Sequence, residues 1–440
     1  MYKIMSVQVP KEMNYGEPMA SLPPSTRTVR MVIPPSNVST ASGSQQIIFD
    51  LPDSMTGYIV PGTLKVNYTC NVASSAVGGF IRGVPAYTFF ARSDVYVQQG
   101  SQLIEGINQY GALCNVLYAT KLTMSHKLGM AFSLGILGGA TNTPSNVNLT
   151  GRELTAVDET WSMSAPLGNI ISNCEKLVPA RCGFRVVLTT DQLNNIFNHP
   201  AASSVDSFTL SNLELAYDMV EFSSPEIEAV VQGLSNDGQV VLKSQSYSLS
   251  SQNLPAGANG SQTLTFNTRL SSIKSLVSLF GGSGNNQKNG SYYDSVDITQ
   301  NVANTGGGSY AFEIAGQQYP EKPLSSKNNK AAIHSALADC WGGNASNLYN
   351  ESMSIIPAEF ATREDGATTN AFSGRFYVGQ NVEKLQTSAM LTGVSSNNSA
   401  INLRVDLPVA TTLAHQVSLI CLYDSILTID LNSKQASVRV

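Results

Sequence analysis

The chain has 440 residues, of which 42% are hydrophobic and only 13% charged, with a net charge of −5. That length allows two or three domains with a sizeable core, and the acidic balance excludes a basic surface built to neutralise phosphates. The charged share is about half the usual one; Ser, Thr, Asn, Gln and Gly replace it, which disfavours solvated helices and favours strands and turns.

Residues 1–26 form an N-terminal arm. Tyr2, Ile4, Met5, Val7 and Val9 are apolar, but Pro10, Lys11 and Glu12 interrupt the run, so no signal peptide is expected. The alternation suits an added strand better than an amphipathic helix. The arm therefore reads as a tail, or as a segment that orders against a neighbour or a membrane. The first strong strand follows Pro61-Gly62, where Leu64, Val66, Tyr68, Cys70 and Val72 alternate with polar residues. Ile104, Ile107, Tyr110, Leu113, Cys114 and Leu117 recur at steps of three and four, which predicts a helix. Phe184, Val186 and Leu188 predict a strand, as do Leu213, Leu215 and Tyr217. Pro225 to Gln232 predicts a short helix, with proline in its first turn. Ile333, Leu337, Cys340 and Trp341 predict another, capped by Asn328-Asn329 and stopped by Gly342-Gly343. Ile401 to Leu407 alternates and ends at Pro408, and Leu419 to Ile429 is a last, apolar strand. Between these elements lie long polar loops at 138–158, 281–308 and 344–370.

Some of these segments repeat. Residues 43–50 read GSQQIIFD and residues 260–267 read GSQTLTFN, 217 positions later. Leu213-Glu214-Leu215-Ala216-Tyr217-Asp218 resembles Leu419-Ile420-Cys421-Leu422-Tyr423-Asp424, 206 positions later. One predicted helix falls in the middle of each half. Three matches in one order at nearly one spacing indicate a duplicated unit. The expected organisation is the arm at 1–26, a first β-sandwich at 27–224, a linker at 225–237 and a second sandwich at 238–440.

No chemistry stands out. Cys70, Cys114, Cys174, Cys182, Cys340 and Cys421 lie in or beside apolar stretches and read as buried thiols; a Cys174–Cys182 bridge stays open. His126, His199, His334 and His415 have no metal-ligand spacing, and His334 is expected to flank a helix's buried face. Gly306-Gly307-Gly308 has no helix behind it, so it is no phosphate cradle. The pairs Asp158-Glu159 and Glu364-Asp365 read as solvated loop acids, and Lys322 to Lys330 as a solvated loop. The Asn-X-Ser/Thr sites, such as Asn37, arise by chance in so Asn- and Ser-rich a chain. No catalytic, cofactor-binding or metal-ligating residue is predicted, no cofactor is implied, and an enzyme is not expected. A secreted β-sandwich adhesin or carbohydrate-binding protein shares this composition but would need a signal peptide.

Two passages carry a resemblance. Val95-Tyr96-Val97 leads through Gln98-Gln99-Gly100-Ser101 into Leu103-Ile104-Glu105 and on to Tyr110, Leu113 and Leu117. Tyr310, Phe312, Ile314 and Gly316 lead through Tyr319-Pro320 and Pro323-Leu324 into the second helix. With the tandem units and long loops, they resemble the double jelly-roll major capsid proteins of tailless icosahedral viruses: adenovirus hexon, virophages and membrane-containing phages. The resemblance implies an all-β fold of two upright jelly rolls, each with one mid-domain helix. It implies homotrimeric, pseudo-hexagonal capsomers that tile a shell, in a virion made in the host cytoplasm or nucleus. Implied partners are other copies of the chain, penton and minor capsid proteins, and an internal membrane reached by the arm; specific nucleic-acid binding is not implied.

Overall fold

The computed structural model describes residues 26–74, 80–98, 102–136, 151–154, 157–198, 205–222, 238–282, 294–300, 307–327, 330–341, 355, 360, 374–384 and 391–440. The expected linker, the short helix within it and residues 1–25 of the arm lie outside these, as do most of the long loops.

The first half is built on β1 (Thr26–Ile33), β2 (Gln46–Leu51), β3 (Lys65–Ser74), β4 (Phe90–Val97), β5 (Leu103–Asn108), β6 (Asp158–Pro166), β7 (Phe184–Thr190) and β8 (Val205–Phe222). The second is built on β9 (Gln239–Leu254), β10 (Gly260–Phe266), β11 (Ile273–Gly282), β12 (Ser309–Ile314), β13 (Gln317–Ser325), β14 (Tyr377–Asn381), β15 (Ile401–Leu407) and β16 (His415–Asp430). Shorter strands decorate both. All these pairings are antiparallel. The sheets of the first half run β1-β8-β3-β6 and β2-β7-β4-β5. Those of the second run β9-β16-β11-β14 and β10-β15-β12-β13. Adding eight to each label turns the first pair of orders into the second. This is jelly-roll connectivity, two Greek keys wrapped into a sandwich, present twice.

Alternation produces these sandwiches. In β3, Val66, Tyr68, Cys70 and Val72 are buried while Lys65, Asn67, Thr69 and Asn71 reach solvent. A strand with one apolar face must lay it on another sheet. Tyr68 accordingly meets Phe90 of the opposite sheet, ring edge to face, at 5.5 Å. In the second half Phe280, Tyr310 and Phe376 do the same work at 5.3 to 6.3 Å. The two repeated segments occupy equivalent strands, β2 and β10. Tyr217 of β8 shares the interior face with Leu215, and Tyr423 of β16 shares it with Leu419 and Cys421, so the two rings answer each other across the repeat.

Each half carries a helix after its fifth strand: α1 (Tyr110–Lys121), followed closely by α2 (Met124–Met130), and α3 (Ala331–Asp339). The single helix predicted from Ile104 to Leu117 is corrected here. Residues up to Asn108 are strand β5, and Gln109, in the left-handed region at φ 50°, turns the chain into α1. Ile104, Glu105 and Ile107 are all buried because β5 is covered on both faces, and two-sided burial in a strand imitates helical spacing. The helix α3 begins at Ala331 and buries Ile333 and Leu337; residues 328–329 and 342–343 are outside the described part. It lies on the outer face of the β9-β16-β11-β14 sheet, where a Cβ on Gly379 would come within 2.7 Å of Leu337 and Cys340. Glycine is what lets helix and sheet approach so closely. With the sandwich interior on one face and helices on the other, β16 is buried almost throughout.

Candidate assembly surfaces

The two jelly rolls meet along a seam made of different surfaces on the two sides. The second jelly roll offers the free edge of β9. The first offers β5, the segment 169–175 and α1. Main-chain carbonyls of the edge strand are taken up one by one: Glu175 N–H donates to Lys243 O at 3.2 Å, and Asn173 Nδ2 donates to Gln245 O at 3.0 Å. Ser244 Oγ donates to Ile170 O at 2.7 Å. Farther along, Lys121 of α1 donates to the Tyr247 hydroxyl at 2.8 Å, and its ammonium stands over the Trp341 ring at 5.0 Å. Ser251 and Ser418 both donate to Gln109 Oε1, at 3.2 and 3.3 Å. The strained Gln109 thus serves the seam as well as the strand-to-helix turn.

Glu105 sits at the centre. It is 5% exposed; one carboxyl oxygen accepts from Ile170 N–H at 2.7 Å and the other from Ser246 Oγ. Burial pushes its pKa up to about 7; the two hydrogen bonds oppose that rise, and the nearby Asp94 carboxylate adds to it. Asp94 is itself held by Arg92, whose Nε lies 2.8 Å from both carboxylate oxygens. Tyr423 and Cys174 complete the surroundings, and burial raises the pKa of both. A polar network across the seam, with a carboxyl able to hold or release a proton, replaces an all-apolar contact. Periodicity could not reveal it, because Glu105 is buried directly after Ile104, on the opposite face of β5, and so breaks the alternation.

The free edges on the far sides are the counterparts of the seam surfaces. Among the described residues β1, the equivalent of β9, pairs only with β8, and it exposes Val32. Among the described residues β13, the equivalent of β5, pairs only with β12, and it is exposed or half-exposed along its length. Pro320, Glu321, Lys322 and Pro323 lie on it.

The residues weighed for chemistry are scattered. His126 contacts Thr123 Oγ1 at 2.9 Å at the start of α2. His334 flanks the buried face of α3 as expected, its ring 5.0 Å from Phe360, and burial lowers its pKa. His415 is buried in β16, and His199 lies outside the described residues. Cys174 and Cys182 are both free, so the bridge left open by the sequence is not formed; all six thiols are free and buried. Glu159 is not a solvated acid: it pairs with buried Arg152 at 3.1 Å. Nor is Lys330 part of a solvated loop. Its ammonium lies 2.9 Å from Asp297, which is fully buried and also accepts from Tyr310 OH at 2.8 Å and Thr299 Oγ1 at 2.7 Å. That contact joins the start of α3 to the sandwich interior, and sequence spacing gives no hint of it. Glu364-Asp365 and Gly306 lie outside the described residues. Among the described residues no group of three or more His, Cys, Asp or Glu side chains could hold a metal ion, and no helix is long and apolar enough to cross a membrane.

No family model matches the chain, and no curated protein does. Solved structures do match. A chain in the cryo-electron microscopy structure of the Sputnik virophage superposes with a TM-score of 0.58 at 14% identity, covering 100% of this chain and 93% of that one. The mavirus major capsid protein gives 0.53 at 10% identity, covering 100% and 96%. The Faustovirus major capsid protein gives 0.59 at 8% identity, covering 93% and 91%. Identities this low speak for the fold, and the fold agrees over nearly the whole of each chain. The chain therefore has the double jelly-roll fold of viral major capsid proteins.

Proposed function

We propose that this chain is a major capsid protein whose three copies close into a pseudo-hexagonal capsomer that tiles an icosahedral shell. The observation that carries this reading is the two-faced seam. The first jelly roll gives it the β5 and α1 side; the second gives it the β9 edge. Such a contact is heterologous, and it leaves the matching pair of surfaces unused: the β13 and α3 side of the second jelly roll and the β1 edge of the first. Repeating one heterologous contact builds a ring if the rotation closes. A step of roughly 60° closes after six jelly rolls, which is three chains. The low charge supports the same reading, since like subunits can share large interfaces without mutual repulsion.

The proposed units are 27–224 and 238–440, joined by 225–237 and preceded by the arm at 1–26. The role is structural, without enzymatic activity, cofactor or specific nucleic-acid binding. The proposed location is the virion capsid, assembled from subunits made in the host cytoplasm or nucleus. The proposed partners are copies of the chain, with penton and minor capsid proteins at special positions and a neighbour or an internal membrane against the arm. Negative-stain images of the purified protein test the proposal: hexagonal particles or shells support it, and compact two-lobed monomers contradict it.

A further inference from the structure

The repeat exposes a difference at its second strand. β2 follows the GSQ of the first repeat and β10 begins with the GSQ of the second; among the described residues each pairs with one strand and turns its other edge outward. In β2 that edge is plugged by the chain's own Ser36 and Asn37. Ser36 N–H donates to Ile48 O at 2.8 Å; Ile48 N–H donates to Asn37 Oδ1 at 2.9 Å; Asn37 Nδ2 donates to Gln46 O at 2.7 Å. Two residues thus stand in for a whole neighbouring strand. The motif aligns Ile48 with Thr265 and Gln46 with Thr263. No described residue hydrogen-bonds the outer main-chain edge of β10 at these positions. Ser261, Thr263 and Thr265 are exposed there, and Gly260 to Phe266 carries no charge and no proline. An unplugged, uncharged edge strand is a template for another strand.

We infer that the segment Met5–Val9 of this chain's N-terminal arm adds to the open edge of β10 as an antiparallel or parallel strand. Three observations select this occupant. Met5, Val7 and Val9 alternate with Ser6 and Gln8, so one face would continue the apolar face of Leu264 and Phe266 and the other the polar face of Thr263 and Thr265. The segment has no charge to desolvate, and Pro10 ends it, since proline cannot donate to a ladder. Sixteen residues, 10–25, separate it from β1, and at about 3.3 Å per extended residue they reach roughly 50 Å, the width of a jelly roll or more. The inference concerns the edge and the arm, and it stands apart from the capsid reading: a chain that never forms a ring could still seat its arm there.

Hydrogen exchange on the full chain tests it, against a variant lacking residues 1–25. The amides of Thr263 and Thr265 should exchange at least about tenfold faster without the arm, while that of Ile48 is unchanged. A second arm of the experiment keeps the arm in place. Ser6→Cys or Gln8→Cys is combined with Ser261→Cys, Thr263→Cys or Thr265→Cys, and with Ser36→Cys as control. The native thiols are buried and do not compete. Mild oxidation should cross-link one or more β10 pairs well ahead of the Ser36 control, whether the arm comes from the same copy or its neighbour. Equal exchange with and without the arm, together with no cross-link above the control, overturns the proposal. So does protection of the arm by lipid vesicles alone, with the β10 amides unmoved.

Discussion

The fifth strand of the first jelly roll and the fifth strand of the second hold the same place in the same topology and meet opposite fates. β5 buries Ile104, Glu105 and Ile107, and its Glu105 meets Ser246 of the second jelly roll. β13 is exposed or half-exposed throughout and carries two prolines and a charged pair in its middle. One edge is finished within the chain; the other stays open among the described residues, and an open edge must not pair with a wrong strand. Proline and charge on an edge provide that protection. The chain as a whole has few charged residues. This pair stands on the strand that needs it.

The contrast can be broken from either side. The largest effect is expected at Asp297, beneath the exposed side of the second jelly roll. Asp297→Ala strands the Lys330 ammonium in a largely buried place, and should cost about 3–5 kcal/mol of folding stability, read by urea unfolding. Retention of wild-type stability would mean that the pair is solvated and that α3 is held by packing alone. Next comes the seam. The Glu105 pKa rises from an ordinary 4.5 to about 7, so the folded state holds a proton that the unfolded state has released between those values. The Glu105 contribution to stability therefore falls as pH rises from about 4.5 to 7, by about 3 kcal/mol in total, and is constant outside that window. Glu105→Gln, which cannot ionise, should remove that slope; an identical pH profile for the variant would place the proton elsewhere.

Ser246→Ala is smaller. It deletes one donor to Glu105 across the seam, for about 1–2 kcal/mol. Because that hydrogen bond holds the carboxyl's pKa down, its loss should extend the sloping range to higher pH, which thermal melts across pH would show. The smallest effect on folding is expected at the exposed edge. Pro323→Val should change monomer stability by less than about 0.5 kcal/mol. It should nevertheless raise self-association in light scattering, and unchanged scattering would deprive the proline of its protective role.

Much of this architecture was legible in the residues. Alternation located β3, β7, β15 and the interior of β8, because each has one solvated face. The GSQ and Tyr-Asp repeats located the duplication, because equivalent strands of a duplicated sandwich face equivalent surroundings. What failed was burial from two sides. β5 read as a helix because Ile104 and Ile107, on opposite faces of the strand, are both buried and stand three residues apart. The seam was invisible for a related reason: its partners, such as Glu105 and Ser246, stand far apart in sequence and follow no local period. Lys330 and Asp297 were missed because a buried ion pair looks like two loop charges until the fold joins them. Asn37 looked like an accidental sequon, and it holds an edge strand closed.

The central claim is that the unused surfaces, β13 with α3 and β1, complete each other between copies. Native mass measurement on dilute protein tests it most directly. The account predicts a species of three times the 46.9 kDa chain mass that persists on dilution. A stable, soluble species at the mass of one chain, unchanged at high concentration, would contradict it.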